Sequence, residues 1–109
     1  EDALRAMAEA YREFARELPA LYPLTIIAPD PDESERTAPA QEWLQLLLLT
    51  MASLGVHGDE ALHAIRAFRS LLHGFVVLEA GGGFKMDLDR DESFKYLVDG
   101  YLGAIANSQ

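Results

Sequence analysis

The chain has 109 residues, 50% of them hydrophobic and 25% charged, with a formal net charge of −9 and no cysteine. This is the size of one domain with a real core, and the lack of cysteine excludes disulfides and thiolate metal sites. The nine Lys and Arg residues are spread along the whole length, so no basic stripe offsets the repulsion expected from a phosphate backbone.

The first segment, from about Asp2 to Leu18, repeats Leu4, Met7, Ala8, Tyr11, Phe14, Ala15 and Leu18 at three- and four-residue steps. That spacing places them on one helical face. The opening residues are charged and already helical in pattern, so no signal peptide is expected. Pro19 ends the helix or starts another. The second segment, Pro19 to about Ala28, is short and apolar, and Pro23 within it argues for a short or kinked helix. Residues 29–39 hold three prolines and four acids, the composition of a solvated loop.

The third segment is expected to run from about Pro39, which suits a first helical position, to Leu54, with Gly55 as its stop. Its large residues, Trp43 to Leu54, go round the whole helix, as in a helix buried on most sides or facing a cavity. The fourth segment spans about Asp59, read as an N-cap, to Gly82. Phe68, Leu71, Phe75 and Leu78 form one large stripe, and Leu62, Ile65, Leu72 and Val76 form the next. On the far side Ala67, Ser70, Gly74, Val77 and Gly81 make a thin stripe that another helix can approach closely. Gly81-Gly82-Gly83 stops it. The fifth segment opens on Asp89 with Glu92 three residues later, close to a capping box. Phe94, Leu97, Val98, Tyr101, Leu102 and Ile105 give it an apolar face, and Gly100, Gly103 and Ala104 a second thin stripe.

No run of about 20 apolar residues is present, so no membrane-spanning helix is expected. His57, His63 and His73 are too dispersed for a metal site. The glycine run ends a helix and lacks the strand context of a phosphate-binding loop. No reactive constellation appears, so an enzyme is not expected, and neither is a cofactor or metal. Glu79 falls between the two large stripes of the fourth segment, where a carboxylate needs a partner such as a helix end, Arg69 or a hydroxyl, unless it anchors a ligand.

The string His73-Gly74-Phe75, Leu78-Glu79, Gly82-Gly83-Phe84, with Tyr11, Phe14-Ala15 and Pro19-Ala20-Leu21-Tyr22 before it, resembles the effector domain of tetracycline-repressor-like (TetR/AcrR) transcriptional regulators, in the branch often called WHG. The likeness covers about Ala3 to Ala106. No Trp lies near the His-Gly pair here; Phe68 to Leu72 occupies that region. The resemblance implies an all-α single domain, residues 1–109, folded as a five-helix orthogonal and antiparallel bundle. It implies that the last two helices pair with their copies as a four-helix bundle and that the earlier ones enclose a ligand pocket. It also implies a cytoplasmic repressor whose helix-turn-helix half is absent from this sequence.

On that reading the homodimer interface draws on Ser70, Gly74, Val77 and Gly81 with Phe94, Leu97 and Tyr101. The surplus of apolar surface points to a pocket lined by Tyr11, Phe14, Tyr22, Trp43, Leu47, Phe68 and Leu72, with His73 or Glu79 as polar anchors. The expected effector is a small apolar molecule, and no direct nucleic-acid contact is expected from these residues. The competing reading is a helical homodimerisation module whose core is simply filled.

Overall fold

The structure, a computed structural model, describes residues 2–18 and 34–107, with side chains described for 2–18 and 42–107. Those residues form four helices: α1 (Asp2–Glu17), α2 (Ser34–Ser53), α3 (Gly58–Ala80) and α4 (Arg90–Asn107). The class is all-α, as expected. The expected short helix over Pro19–Ala28, and Tyr22 with it, lies outside the described residues, so four helices are described where five were expected.

Helix α1 buries the periodic stripe Leu4, Met7, Ala8 and Ala15, and Arg12 with it. Helix α2 begins five residues before Pro39, at Ser34. The loop reading took the prolines as boundaries; Pro39 is instead the sixth residue of the helix, where it lacks an N–H for the ladder and its ring crowds the preceding turn. Helix α2 ends at the expected stop. Gly55, at φ 82°, takes the left-handed conformation, and the Val56 N–H reaches the Met51 carbonyl at 2.9 Å. Val56 and Met51 are both fully buried, so the turn that satisfies the last carbonyls also drives its two flanking side chains into the core.

The expectation that α2 is buried on most sides is corrected. Leu47 and Met51 enter the core, while Trp43, Leu44, Leu46 and Leu49 are exposed. Composition made the helix apolar all round, but α1 and α3 cover one side of it.

Helix α3 begins at Gly58. His57, in extended backbone geometry, holds the N-cap position without a side-chain bond, so Asp59 is not the cap. Asp59 and Glu60 instead lie in the first turn, where their charge suits the positive helix end. At the other end the Gly83 N–H donates to the Leu78 carbonyl at 2.6 Å, with Gly82 left-handed at φ 74°. A Cβ on Gly83 would sit 3.0 Å from the Leu78 side chain, so two of the three glycines are demanded by this turn. Asp89 does cap α4: its Oδ1 accepts from the Asp91 N–H at 2.9 Å.

Helix α3 packs against each of the other three. Ile65, Phe68, Leu72 and Phe75 meet Leu4 and Met7 of α1, Leu47 and Met51 of α2, and Phe94, Val98, Tyr101 and Leu102 of α4 in one cluster. Phe68 and Tyr101 lie 5.1 Å apart between ring centroids, and the Tyr101 hydroxyl donates to the Ala64 carbonyl at 2.6 Å. With 23 residues and a mean hydropathy of 1.2, α3 is by length and composition sufficient to cross a membrane. Its place against three other helices buries Ala61, Ile65, Phe68, Leu72, Phe75 and Val76 and leaves Leu62, Val77 and Leu78 exposed.

Candidate functional site

The chemistry of the described residues concentrates where the second half of α1 meets the α3–α4 corner. Arg12 is one helical turn after Ala8 and one before Ala15, so the period of α1 carries it onto the buried stripe. Its side chain is 10% exposed. The guanidinium lies 5.3 Å from the Phe75 ring centroid and 5.0 Å from that of Phe94, which places a cation against two aromatic rings. Its far side is met by Glu79, itself 9% exposed. Nε donates to Oε1 at 3.1 Å and NH2 donates to Oε2 at 2.7 Å, a bidentate pair. NH1 donates to Asp91 Oδ1 at 2.8 Å. One arginine thus ties α1 to the end of α3 and the start of α4.

The hydrogen bonds from Arg12 hold the Glu79 carboxyl below its ordinary range; burial opposes this, and the charges of Arg12, Arg16 and Arg90 add to it. In return, the bond to Glu79 holds the Arg12 guanidinium well above its ordinary value despite burial. A second, exposed pair links Arg5 to Asp99, which Lys95 also contacts. Residues 5 and 12 therefore face 99 and 91, so α1 runs antiparallel to α4 and is joined to it by two arginine arms.

Beside Arg12 lies an open groove of about 700 Å³. Arg12, Arg16, Glu79, Asp89, Arg90 and Asp91 supply its polar lining, and Ala15, Val76, Ala80 and Leu88 its apolar lining.

The profile of the tetracyclin repressor-like C-terminal domain matches residues 4–101. The chain belongs to that family. It is also 35% identical, over 99 residues, to the uncharacterized HTH-type transcriptional regulator Rv0681 of Mycobacterium tuberculosis, covering 90% of this chain and 45% of the relative. It is 30% identical over 107 residues to the uncharacterized HTH-type regulator YobS of Bacillus subtilis, covering 96% of this chain and 54% of that protein. The chain thus spans about half the length of these relatives.

In this TetR-type domain the residues expected to line an effector pocket are dispersed. Leu47, Phe68 and Leu72 are buried in the main core, with Tyr11 packed against it. Phe14 joins Tyr11 beside Ala15 and Val76 in a smaller cluster. Trp43 is 42% exposed, and His73 is half-buried. None of these described residues lines the groove.

Of the expected interface residues, Ser70, Val77 and Gly81 are exposed, while Gly74 and Leu97 are half-buried. Phe94 and Tyr101 are in the chain's own core. Their periodicity placed them correctly on an apolar face, but α3 of the same chain covers it. The partner of Glu79 comes from α1. Arg12, Arg16, Arg90 and Asp91 were missed. For Arg12 the signal was present, since an arginine on an apolar stripe needs an acid, and Glu79 on the stripes of α3 needs a base.

Proposed function

We propose that the chain is the effector-binding and dimerisation half of a TetR-family transcriptional regulator, a cytoplasmic repressor that pairs as a homodimer through α3 and α4. The observation that carries the dimer is the space around its small residues. A methyl group added at Gly74, Gly100 or Gly103 would meet nothing within 4 Å beyond its chain neighbours and its own helical backbone. Glycine in a helix interior costs about 1 kcal/mol relative to alanine, and this chain's own packing demands none of the three. Close approach of a second copy would offset that cost. Leu62, Val77 and Leu78 remain exposed on α3 and add apolar surface.

Effector binding would work by population shift. A small apolar molecule held among Tyr11, Phe14, Tyr22, Trp43, Leu47, Phe68, Leu72 and His73 would favour one arrangement of the early helices. That would change the set of the DNA-reading half and hence operator affinity. The relatives' names support a helix-turn-helix partner region, which would make the DNA contacts. The burial of Leu47, Phe68 and Leu72 in a filled core favours a second reading, a homodimerisation module without a ligand. Light scattering at tens of micromolar tests the dimer, and a monomer there would refute it. A thermal-shift screen over diverse hydrophobic compounds separates the two readings, because ligand binding raises the melting temperature by mass action.

A further inference from the structure

We propose that the groove between the second half of α1 and the α3–α4 corner binds a small amphiphilic carboxylate, whose carboxylate replaces that of Asp91 on Arg12. Of the effector contacts expected from the sequence the site shares only Glu79, named there as a polar anchor, and it does not depend on the others. Its volume of about 700 Å³ falls within the roughly 300–1,000 Å³ typical of small-molecule sites.

The charged groups of the lining are unequally engaged. Of the three carboxylates in the lining, Glu79 is bound twice by Arg12, Asp91 once by Arg12, and Asp89 accepts from the first turn of α4. Arg16 and Arg90 are exposed on the rim and form no ion pair among the described residues. Arg16 and Arg90 thus bring guanidinium donors to the rim that no carboxylate of the lining accepts from, and an anion suits those donors better than a metal ion or an amine.

The exchange at Arg12 is built for replacement. The guanidinium is held by Glu79 and by the rings of Phe75 and Phe94, so it does not move to receive a ligand. Its third acceptor, Asp91, has a side chain 76% exposed and returns to water at little cost. Asp91 stays on the rim when it lets go, so one ligand carboxylate makes four anions against the three arginines of the lining. A polyanion would add more, and the net charge of −9 opposes it. Ala15, Val76, Ala80 and Leu88 give the apolar body of the ligand its wall. Occupation would also free α4 from one of the two arginine arms of α1.

The test is an amide-resolved NMR titration of the chain with sodium octanoate, with octanamide as the uncharged match. Saturable shifts should fall on Ala15, Arg16, Ala80, Leu88, Arg90 and Asp91, and octanamide should bind at least about fivefold more weakly, as loss of a charge-assisted bond requires. Arg16→Ala with Arg90→Ala should weaken octanoate about tenfold. Asp91→Asn should strengthen it about threefold by removing the competing carboxylate; a merely structural role for Asp91 would not do this. All three substitutions are at exposed positions, and unchanged shifts elsewhere report an intact fold. The proposal is overturned by no saturable shift up to about 10 mM octanoate, by equal binding of octanamide, or by weaker binding to Asp91→Asn. It is also overturned by shifts centred on Phe68, Leu72 and Trp43, a result that would instead favour the apolar effector contacts.

Discussion

Replacing Arg12 by methionine tests the polar joint on which the α1–α3–α4 corner rests. The substitution keeps an unbranched apolar stem and removes three charge-assisted hydrogen bonds, at 3.1, 2.7 and 2.8 Å. It leaves Glu79 with a side chain only 9% exposed and without its cation. Breaking one partner of a buried pair costs about 3–5 kcal/mol. The adjoining groove lets water approach, which favours the lower end, while loss of the two ring contacts adds about 0.5–1 kcal/mol each. Arg12→Met should therefore lower stability by about 4–5 kcal/mol, a large part of the roughly 5–15 kcal/mol of a typical domain. Glu79→Met in the same chain should restore most of it, to within about 1 kcal/mol of the parent, because the uncompensated charge is gone. Urea unfolding followed by far-ultraviolet circular dichroism at one protein concentration and pH 7 measures the parent, both single substitutions and the double. The reasoning fails if Arg12→Met costs under about 1 kcal/mol, or if the double substitution costs as much as the two single ones summed. A pH series adds a sign. The folded-state pKa of Glu79 is depressed below the ordinary 4.5. Its contribution is therefore fully present above that ordinary value and lost as pH falls through the folded one. Glu79→Gln should lack this acid-dependent loss.

Four further outcomes are expected. Asp89→Ala removes the cap on the Asp91 N–H and should cost about 1 kcal/mol, with faster hydrogen exchange at the start of α4; unchanged exchange would contradict the cap. Gly74→Leu meets open space in the single chain, so it should leave the monomer folded while separating the proposed dimer by overpacking; light scattering showing an unchanged dimer would place the interface elsewhere. Tyr101, whose phenol is pushed up to about 12 by burial, should contribute stability that is full below its ordinary value of 10.0 and lost as pH rises towards 12; Tyr101→Phe should remove that alkaline loss, and unfolding curves across the window check it. Duplex DNA should not bind these 109 residues with salt-sensitive micromolar affinity, given the charge of −9; fluorescence anisotropy decides this.

Local pattern was enough to place α1, α3 and α4. Three- and four-residue apolar spacing marked α1, α3 and α4, and Gly55, Gly82 and Asp89 marked two stops and one start, because turn and cap geometry depends on residues within a few positions. The family likeness was legible for the same reason, in a contiguous run from His73 to Phe84. The start of α2 was misread because Pro39 was taken as its first residue, whereas the helix begins at Ser34 and carries Pro39 within it. What tertiary structure alone decided was which faces meet. Periodicity gave Phe94 and Tyr101 an apolar face, but only the packing of α3 on α4 made them core. On α2, apolar all round, only docking selected Leu47 and Met51 for burial and left Trp43 and Leu49 outside. The sequence demanded a partner for Glu79, yet that partner is 67 residues away on another helix. An ion pair is chosen by distance and burial in three dimensions, and no spacing along the chain encodes it.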